Sequence, residues 1–186
     1  MEVRQLVDGT EIEVVSVLGS ITEPRTVRKV LTAHRVDVIL HAAAYKHVSL
    51  VESNPLAGLV NNVLGTKTLA EQAIQAGVER FILISSDKAV RPTNVMGGSK
   101  RLAELVIQDM ARKHGGTGGT IFSMVRFGNV LGTSGTVVPL FQDQLSRGGP
   151  LTVTDRSVTR YFMTLQEAVQ LVLQAGGLAQ GGEVFV

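Results

Sequence analysis

The sequence contains no cysteine and no tryptophan. Without cysteine there is no disulfide framework, no thiolate zinc site and no catalytic thiol, and a reducing compartment is acceptable. With only two tyrosines, the stacking platforms that grip single-stranded nucleic acid are scarce, and no run of Lys or Arg forms a stripe in a chain of formal charge +2. Nucleic acid is therefore not an expected partner. No stretch reaches the roughly 20 apolar residues of a membrane span, and residues 1–9, with Glu2, Arg4 and Asp8, have no apolar signal core. The expectation is a soluble, cytoplasmic chain with no membrane segment of its own. One further pattern is missing. G-x-G-x-x-G, the turn that sets a dinucleotide's pyrophosphate on a helix N-terminus, occurs nowhere.

What is present is ordinary for a globular protein: 186 residues, 44% apolar and 18% charged, enough for one sizeable core. The hydrophobic period alternates along the chain. Glu11–Leu18 reads as a strand rich in Val and Ile, and Pro24 opens a helix with Val27, Val30 and Leu31 on one face. Val36–Leu40 reads as a second strand, followed by a helix over Asn62–Ala76 that ends at Gly77, with Val63, Leu69, Ala70, Ala73 and Ile74 inward. Phe81–Ile84 is apolar at every position, which suits a strand covered on both faces. A helix from about Asn94 to Lys113 and a strand over Ile121–Phe127 complete the alternation, with GGTGG at 115–119 as the turn between them. The expected class is α/β, a Rossmann-like doubly wound parallel sheet.

After Phe127 the pattern loosens. Gly128, Gly132 and Gly135 punctuate a loop, Val138–Leu145 reads as a short helix, Leu151–Thr154 as a short strand and Leu165–Ala175 as a helix. Residues 1–127 are expected to form a partial dinucleotide-binding domain and 128–186 part of a substrate-facing lobe. Met1–Val7 reads as the tail of a helix feeding the Glu11 strand. In the doubly wound order the first strand lies at the sheet's centre, so a chain without its first β-α-β unit lacks the element joining Glu11–Leu18 to the rest.

The strongest chemical signal is Ile84-Ser-Ser-Asp-Lys-Ala-Val90 at the carboxyl end of an apolar strand, with Met96-Gly-Gly-Ser-Lys100 near the start of the next helix. Open α/β sheets bind ligands at the carboxyl ends of their strands, so Ser86, Asp87 and Lys88 should face the crevice. Met96 and Lys100, four residues apart, should share a helix face turned towards it. Read alone, SSDK is equally a polar helix cap.

HAAAYKHVSLVESNP, NNVLGT, SSDKAVRPTNVMGGSKR, VRFGNVLGTSGTVVPLF and TRYFMT with EAVQLVLQAG resemble, in order and spacing, the CapD-like polysaccharide biosynthesis proteins. These are extended short-chain dehydrogenase/reductases that include UDP-N-acetylglucosamine 4,6-dehydratases. The likeness runs from about Glu11 to Val186. Met96 is its distinguishing mark, because most of the superfamily has Tyr there. The resemblance implies NAD as cofactor, a UDP-sugar as substrate, and a longer, homo-oligomeric parent; family members often carry an inner-membrane anchor, with this domain then in the cytoplasm. It also implies a reaction. The sugar's carbon 4 hydroxyl is oxidised, the carbon 5 proton is removed, the carbon 6 hydroxyl leaves as water and the hydride returns to carbon 6.

By this resemblance Asp87 is the acid that protonates the leaving hydroxyl, a role that calls for burial. Lys88 is the base, which must be partly neutral, as desolvation and the charge of Lys100 would favour. Lys100 binds the nicotinamide ribose. A thioether moves no proton, so the usual tyrosine role falls from Met96 to another group, with Ser86 the candidate relay. His41, Ala42 and Ala43 line the cofactor, although tight helix–sheet packing would explain such small residues equally well. Asn62 either bonds backbone near the site or caps its helix. Lys46, His47, Arg126, Asn129 and Arg160 are the implied substrate contacts, Arg160 on the nucleotide phosphates. Considered singly, Lys46 and His47 are ordinary surface residues and Arg160 an exposed ion-pair partner. Ser20 stands where many such folds put an Asp on the adenine. Two other readings fit the fold: an epimerase or reductase, which would need the missing tyrosine, and a non-catalytic fragment, motivated by the missing glycine turn.

Overall fold

The computed structural model describes residues 3–115, 118–133, 137–153 and 155–186. After a short helix α1 (Val3–Leu6) come α2 (Pro24–Ala33), β1 (Val38–His41), α3 (Val48–Ser53), α4 (Pro55–Leu59), a π-helical turn over Val60–Gly65 and α5 (Thr66–Ala76). Then follow β2 (Arg80–Ile84), a 3₁₀ turn (Asp87–Ala89), α6 (Val95–His114), β3 (Ile121–Val125), β4 (Asn129–Val130), α7 (Val137–Ser146), β5 (Phe162–Met163), α8 (Leu165–Leu178) and β6 (Val184–Phe185). Four strands form one parallel sheet in the order β1-β2-β3-β6, and β4 and β5 pair in parallel as a separate ribbon.

The pleat divides the core in two. Ile39, Phe81, Leu83, Phe122 and Met124 face α2, α5 and α6, packing with Val27, Leu31, Ala70, Ala73, Ala103 and Ile107. The alternate residues Ile82 and Val125 face α8 and its Val172 and Ala175. Both faces of β2 and β3 are thus covered, which is why Phe81–Ile84 is apolar at every position and β3 is apolar but for the buried Ser123. Beneath β1 the second face is open, and Val38 and Leu40 are each 48% exposed.

Several caps are written locally. Asn94 Oδ1 accepts from Gly97 N at the start of α6, Thr164 and Glu167 make a capping box on α8, and Gly77 closes α5 at φ 72°, in the left-handed region. Another is distant in sequence: Arg80 Nη1 donates to the carbonyls of Gly176 (2.6 Å) and Ala179 (3.3 Å) at the end of α8.

Three expectations are corrected. Glu11–Leu18 forms no strand, and Ile12, Val15, Val17 and Leu18 lie exposed; its composition suits a strand, but no described strand offers it a ladder. Leu151–Val153 is likewise not a strand, and Thr154 lies outside the described residues, as do Gly135 and residues 116–117 of the GGTGG turn. The helix expected from Asn62 begins earlier, in α3 and α4, and passes through the π-helical turn. Within the chain after residue 127, α8 covers one face of the sheet and β6 extends its edge. No described helix is long and apolar enough to cross a membrane.

Candidate functional site

The carboxyl ends of β2 and β3 are joined beyond the last ladder residues, where Ser85 N donates to Val125 O (2.8 Å) and Asp87 N to Phe127 O (3.1 Å). This carries the segment after β2 alongside the segment after β3. Ser86 then caps the 3₁₀ turn, its Oγ accepting from Lys88 N at 3.2 Å and donating to Asp87 Oδ1 at 2.9 Å. Lys88 Nζ is 3.0 Å from Asp87 Oδ1 and 3.4 Å from Asn129 Oδ1. Four of the expected residues, Ser86, Asp87, Lys88 and Asn129, therefore form one polar cluster. The cap reading is realised, because Ser86 caps the 3₁₀ turn that presents the pair. The burial expected for the pair is not found: the side chains of Lys88 and Asp87 are 34% and 38% exposed.

Helix α6 enters from the side. Met96 and Lys100 do share a face, and both are buried. Lys100 Nζ donates to Ile84 O, the last carbonyl of β2, at 2.9 Å. Burial pulls its ammonium down to about 8, while the charge of Glu104 pulls the other way. Gly97 is buried where α6 meets the 3₁₀ turn, and a Cβ there would overlap the carbonyl oxygen of Lys88. The absence of a side chain at 97 lets the turn and the helix close on each other.

His41 ends β1 with its side chain turned inward and 2% exposed, not lining the strand end as expected; Ala42 and Ala43 are the exposed residues there. Its Nε2 lies 2.8 Å from Thr66 Oγ1, whose single proton goes to Asn62 O at 2.7 Å. Nε2 must therefore be the donor, leaving Nδ1 a buried acceptor without a partner among the described residues. The ring packs edge-on to Phe81 at 5.8 Å. Burial, then the charge of Lys100, lower His41 to about 4. Asn62 is buried within the π-helical turn and bonds backbone: Oδ1 accepts from Tyr45 N (2.7 Å), and Nδ2 donates to Tyr45 O (3.0 Å) and Ser99 Oγ (2.9 Å). It ties β1's exit loop to α6 and caps no helix.

Arg126 departs from the expected substrate contact. Its Nε and Nη2 are taken by Glu104 at 2.7 Å and 2.5 Å, so its fork is committed inside the protein. Lys46 and His47 are exposed on the loop into α3, and Arg160 is exposed with Nη1 on Thr159 O. None of these three bonds the Asp87 cluster among the described residues, although the β4–β5 ribbon brings Tyr161 O to Asn129 N at 3.0 Å. Ser20 bonds its neighbour Thr22. Sequence reasoning missed Ser85, Ser99, Thr66 and Glu104. The one available signal was an acid at position 104 in the otherwise buried stripe of α6.

The profile of the family described as Polysaccharide biosynthesis protein matches residues 1–186. The chain is 51% identical over 178 residues to the capsular polysaccharide biosynthesis protein CapD of Staphylococcus aureus, covering 96% of this chain and 29% of that protein. It is 42% identical over 153 residues to a UDP-glucose 4-epimerase of Rickettsia prowazekii (strain Madrid E), covering 82% and 45%. Among solved structures, Pen from Bacillus thuringiensis superposes with a TM-score of 0.89 at 35% identity, covering 97% of this chain and 56% of that one. DesIV, a dTDP-glucose 4,6-dehydratase from Streptomyces venezuelae with NAD bound, superposes with a TM-score of 0.77 at 26% identity, covering 89% and 55%. The chain thus spans less than a third of CapD and under half of the epimerase. With its parallel α/β sheet and the profile matched along its whole length, the chain belongs to the polysaccharide biosynthesis protein family.

Proposed function

We propose that this chain carries the catalytic residues of an NAD-dependent nucleotide-sugar 4,6-dehydratase acting on UDP-N-acetylglucosamine in surface polysaccharide synthesis. The observation that supports this most is the pairing of a buried Met96, one helical turn before Lys100, with an adjacent Asp87–Lys88 pair beside Asn129. A site whose usual tyrosine position holds a thioether needs its acid and base elsewhere, and the pair supplies one of each.

The residues present fit the nicotinamide half of NAD: Ala42 and Ala43 are small and exposed at the end of β1, and Lys100 is anchored at the end of β2. No glycine turn for the pyrophosphate occurs among the 186 residues. When bound, the cofactor supplies the hydride acceptor for carbon 4. The chain's own work is proton transfer. At 3.0 Å, Lys88 and Asp87 form an ion pair in contact with water. A sugar that covers the pair removes that water, and low polarity favours the neutral form reached by moving one proton from the ammonium to the carboxylate. The neutral form is an amine able to take the carbon 5 proton and an acid able to protonate the carbon 6 hydroxyl. The partial exposure of the pair fits a site completed by its substrate. Ser86, bonded to Asp87 Oδ1, holds the acid in place. Asn129 meets the amine, and Lys46, His47 and Arg160 are the further contacts proposed for the UDP-sugar. Assembly as a homo-oligomer belongs to the same reading.

The test is incubation of the protein, at the length its gene encodes, with NAD and UDP-N-acetylglucosamine, followed by mass spectrometry. A 4-keto product lighter by one water supports the reading. An epimer of unchanged mass favours the second reading, which the 42% identity to a UDP-glucose 4-epimerase recommends. Neither product, with no rise in melting temperature on adding NAD, points to a non-catalytic chain.

A further inference from the structure

The sheet-facing stripe of α6 carries Met96, Lys100 and Glu104 at steps of four residues, all buried. Glu104 has no part in the proton transfers above, and its carboxylate is fully buried. Both of its oxygens are occupied. Oε1 accepts from Ser85 Oγ (2.6 Å) and Arg126 Nε (2.7 Å), and Oε2 from Arg126 Nη2 (2.5 Å) and Arg101 Nη1 (2.9 Å). Ser85 is the first residue past β2 and directly precedes Ser86, Asp87 and Lys88. Arg126 is the first residue past β3 and stands three before Asn129. One turn away, Lys100 holds Ile84 O. Two side chains of one helix thus grip consecutive residues at the end of β2, and Glu104 reaches the end of β3 as well.

A buried carboxylate is expensive unless fully bonded, and a well-packed apolar residue at the same point often does as well or better for stability. The rest of this stripe is built that way, with Ala103, Ile107 and Met110. Among the described residues, the buried carboxylate of this stripe stands where the elements bearing the site residues converge. We propose that Glu104 is a positioning residue, which locks the ends of β2 and β3 to α6 in the register that brings Asp87, Lys88 and Asn129 together beside Lys100. The proposal rests on the dehydratase reading only for the identity of the reaction.

Glu104→Gln keeps the shape and removes the charge. In the protein at its encoded length, with NAD and UDP-N-acetylglucosamine, kcat per folded molecule should fall on the order of 10- to 100-fold while KM changes little, as expected for a misplaced catalytic pair. Followed by ¹⁵N-lysine NMR, Lys100 Nζ should titrate at lower pH than in the unmodified protein, because the carboxylate that supports its ammonium is gone. A lower melting temperature with unchanged kcat per folded molecule and an unmoved Lys100 midpoint would overturn the proposal. If Glu104→Gln does not fold, Arg126→Lys, which keeps the charge and loses the fork, decides by the same kcat: a fall supports the proposal and no change overturns it. If the unmodified protein makes no product, the reaction is misassigned, and the Lys100 midpoint alone decides for Glu104. A downward move supports the proposal and no move overturns it.

Discussion

Acidification should destabilise this fold through His41 before most of its carboxylates are protonated. The ring is 2% exposed and bonded through Nε2–H to Thr66, and burial first, then the charge of Lys100, hold it at about 4 in the folded chain against 6.5 when free. For a base lowered on folding, the unfolded chain binds the proton first as pH drops. Stability is therefore unaffected well above pH 6.5 and falls as pH passes from 6.5 towards 4. The shift amounts to about 3 kcal/mol in full and about 2 kcal/mol at pH 5. Lys100, at about 8, is protonated in both states across this window and adds almost nothing to the slope. The assay is urea unfolding at pH 7 and pH 5 for the protein and for His41→Gln, which cannot titrate there. The structural cost of the substitution appears at both pH values and cancels. The unmodified protein should lose about 2 kcal/mol more than the variant between the two. Equal losses would refute the reasoning and would mean that the His41 pocket opens or hydrates readily.

Two other outcomes follow from the site's packing. Gly97→Ala sets a methyl group against Lys88 O, so despite alanine's better helix propensity it should destabilise by about 1–3 kcal/mol and lower kcat by displacing the 3₁₀ turn, measured by thermal unfolding and product formation. Met96→Leu fills similar volume without a proton to give, so it should cost less than about 1.5 kcal/mol and leave kcat within a few-fold, whereas Lys88→Gln should abolish product release; a large loss in Met96→Leu would show that the thioether does more than pack.

The middle of the fold was legible because its signals are local. Phe81–Ile84 is apolar throughout and Ile121–Val125 apolar but for Ser123, since α6 and α8 cover both faces of their strands, and Asn94 and Gly77 mark helix ends with side-chain and backbone chemistry of their own. Glu11–Leu18 misled for the converse reason. Val and Ile fit a pleated surface only where another strand supplies the ladder, and none is described beside it. The two-residue strands β4, β5 and β6 are too short to show a period at all. The π-helical turn is an insertion in a helix whose apolar spacing looks continuous through it.

The site divides along the same line. Ser86, Asp87 and Lys88 are neighbours in sequence, and Lys100 lies one turn from Met96, so a strand end followed by a helix sets them around the end of β2. Arg126 was read by position, at the end of a strand where ligands bind, and position was not enough. Its guanidinium meets a carboxylate 22 residues earlier in the chain, on a helix whose buried stripe offered no reason to expect an acid. The same acid pulls the Lys100 ammonium up while burial pulls it down, and Lys100 in turn presses on His41. The charges at the ends of β1, β2 and β3 are therefore coupled in a line from Arg126 through Glu104 and Lys100 to His41. Glu104 also accepts from Ser85 Oγ, so a change at Arg126 reaches the end of β2 through Glu104 directly as well as through the Lys100 ammonium.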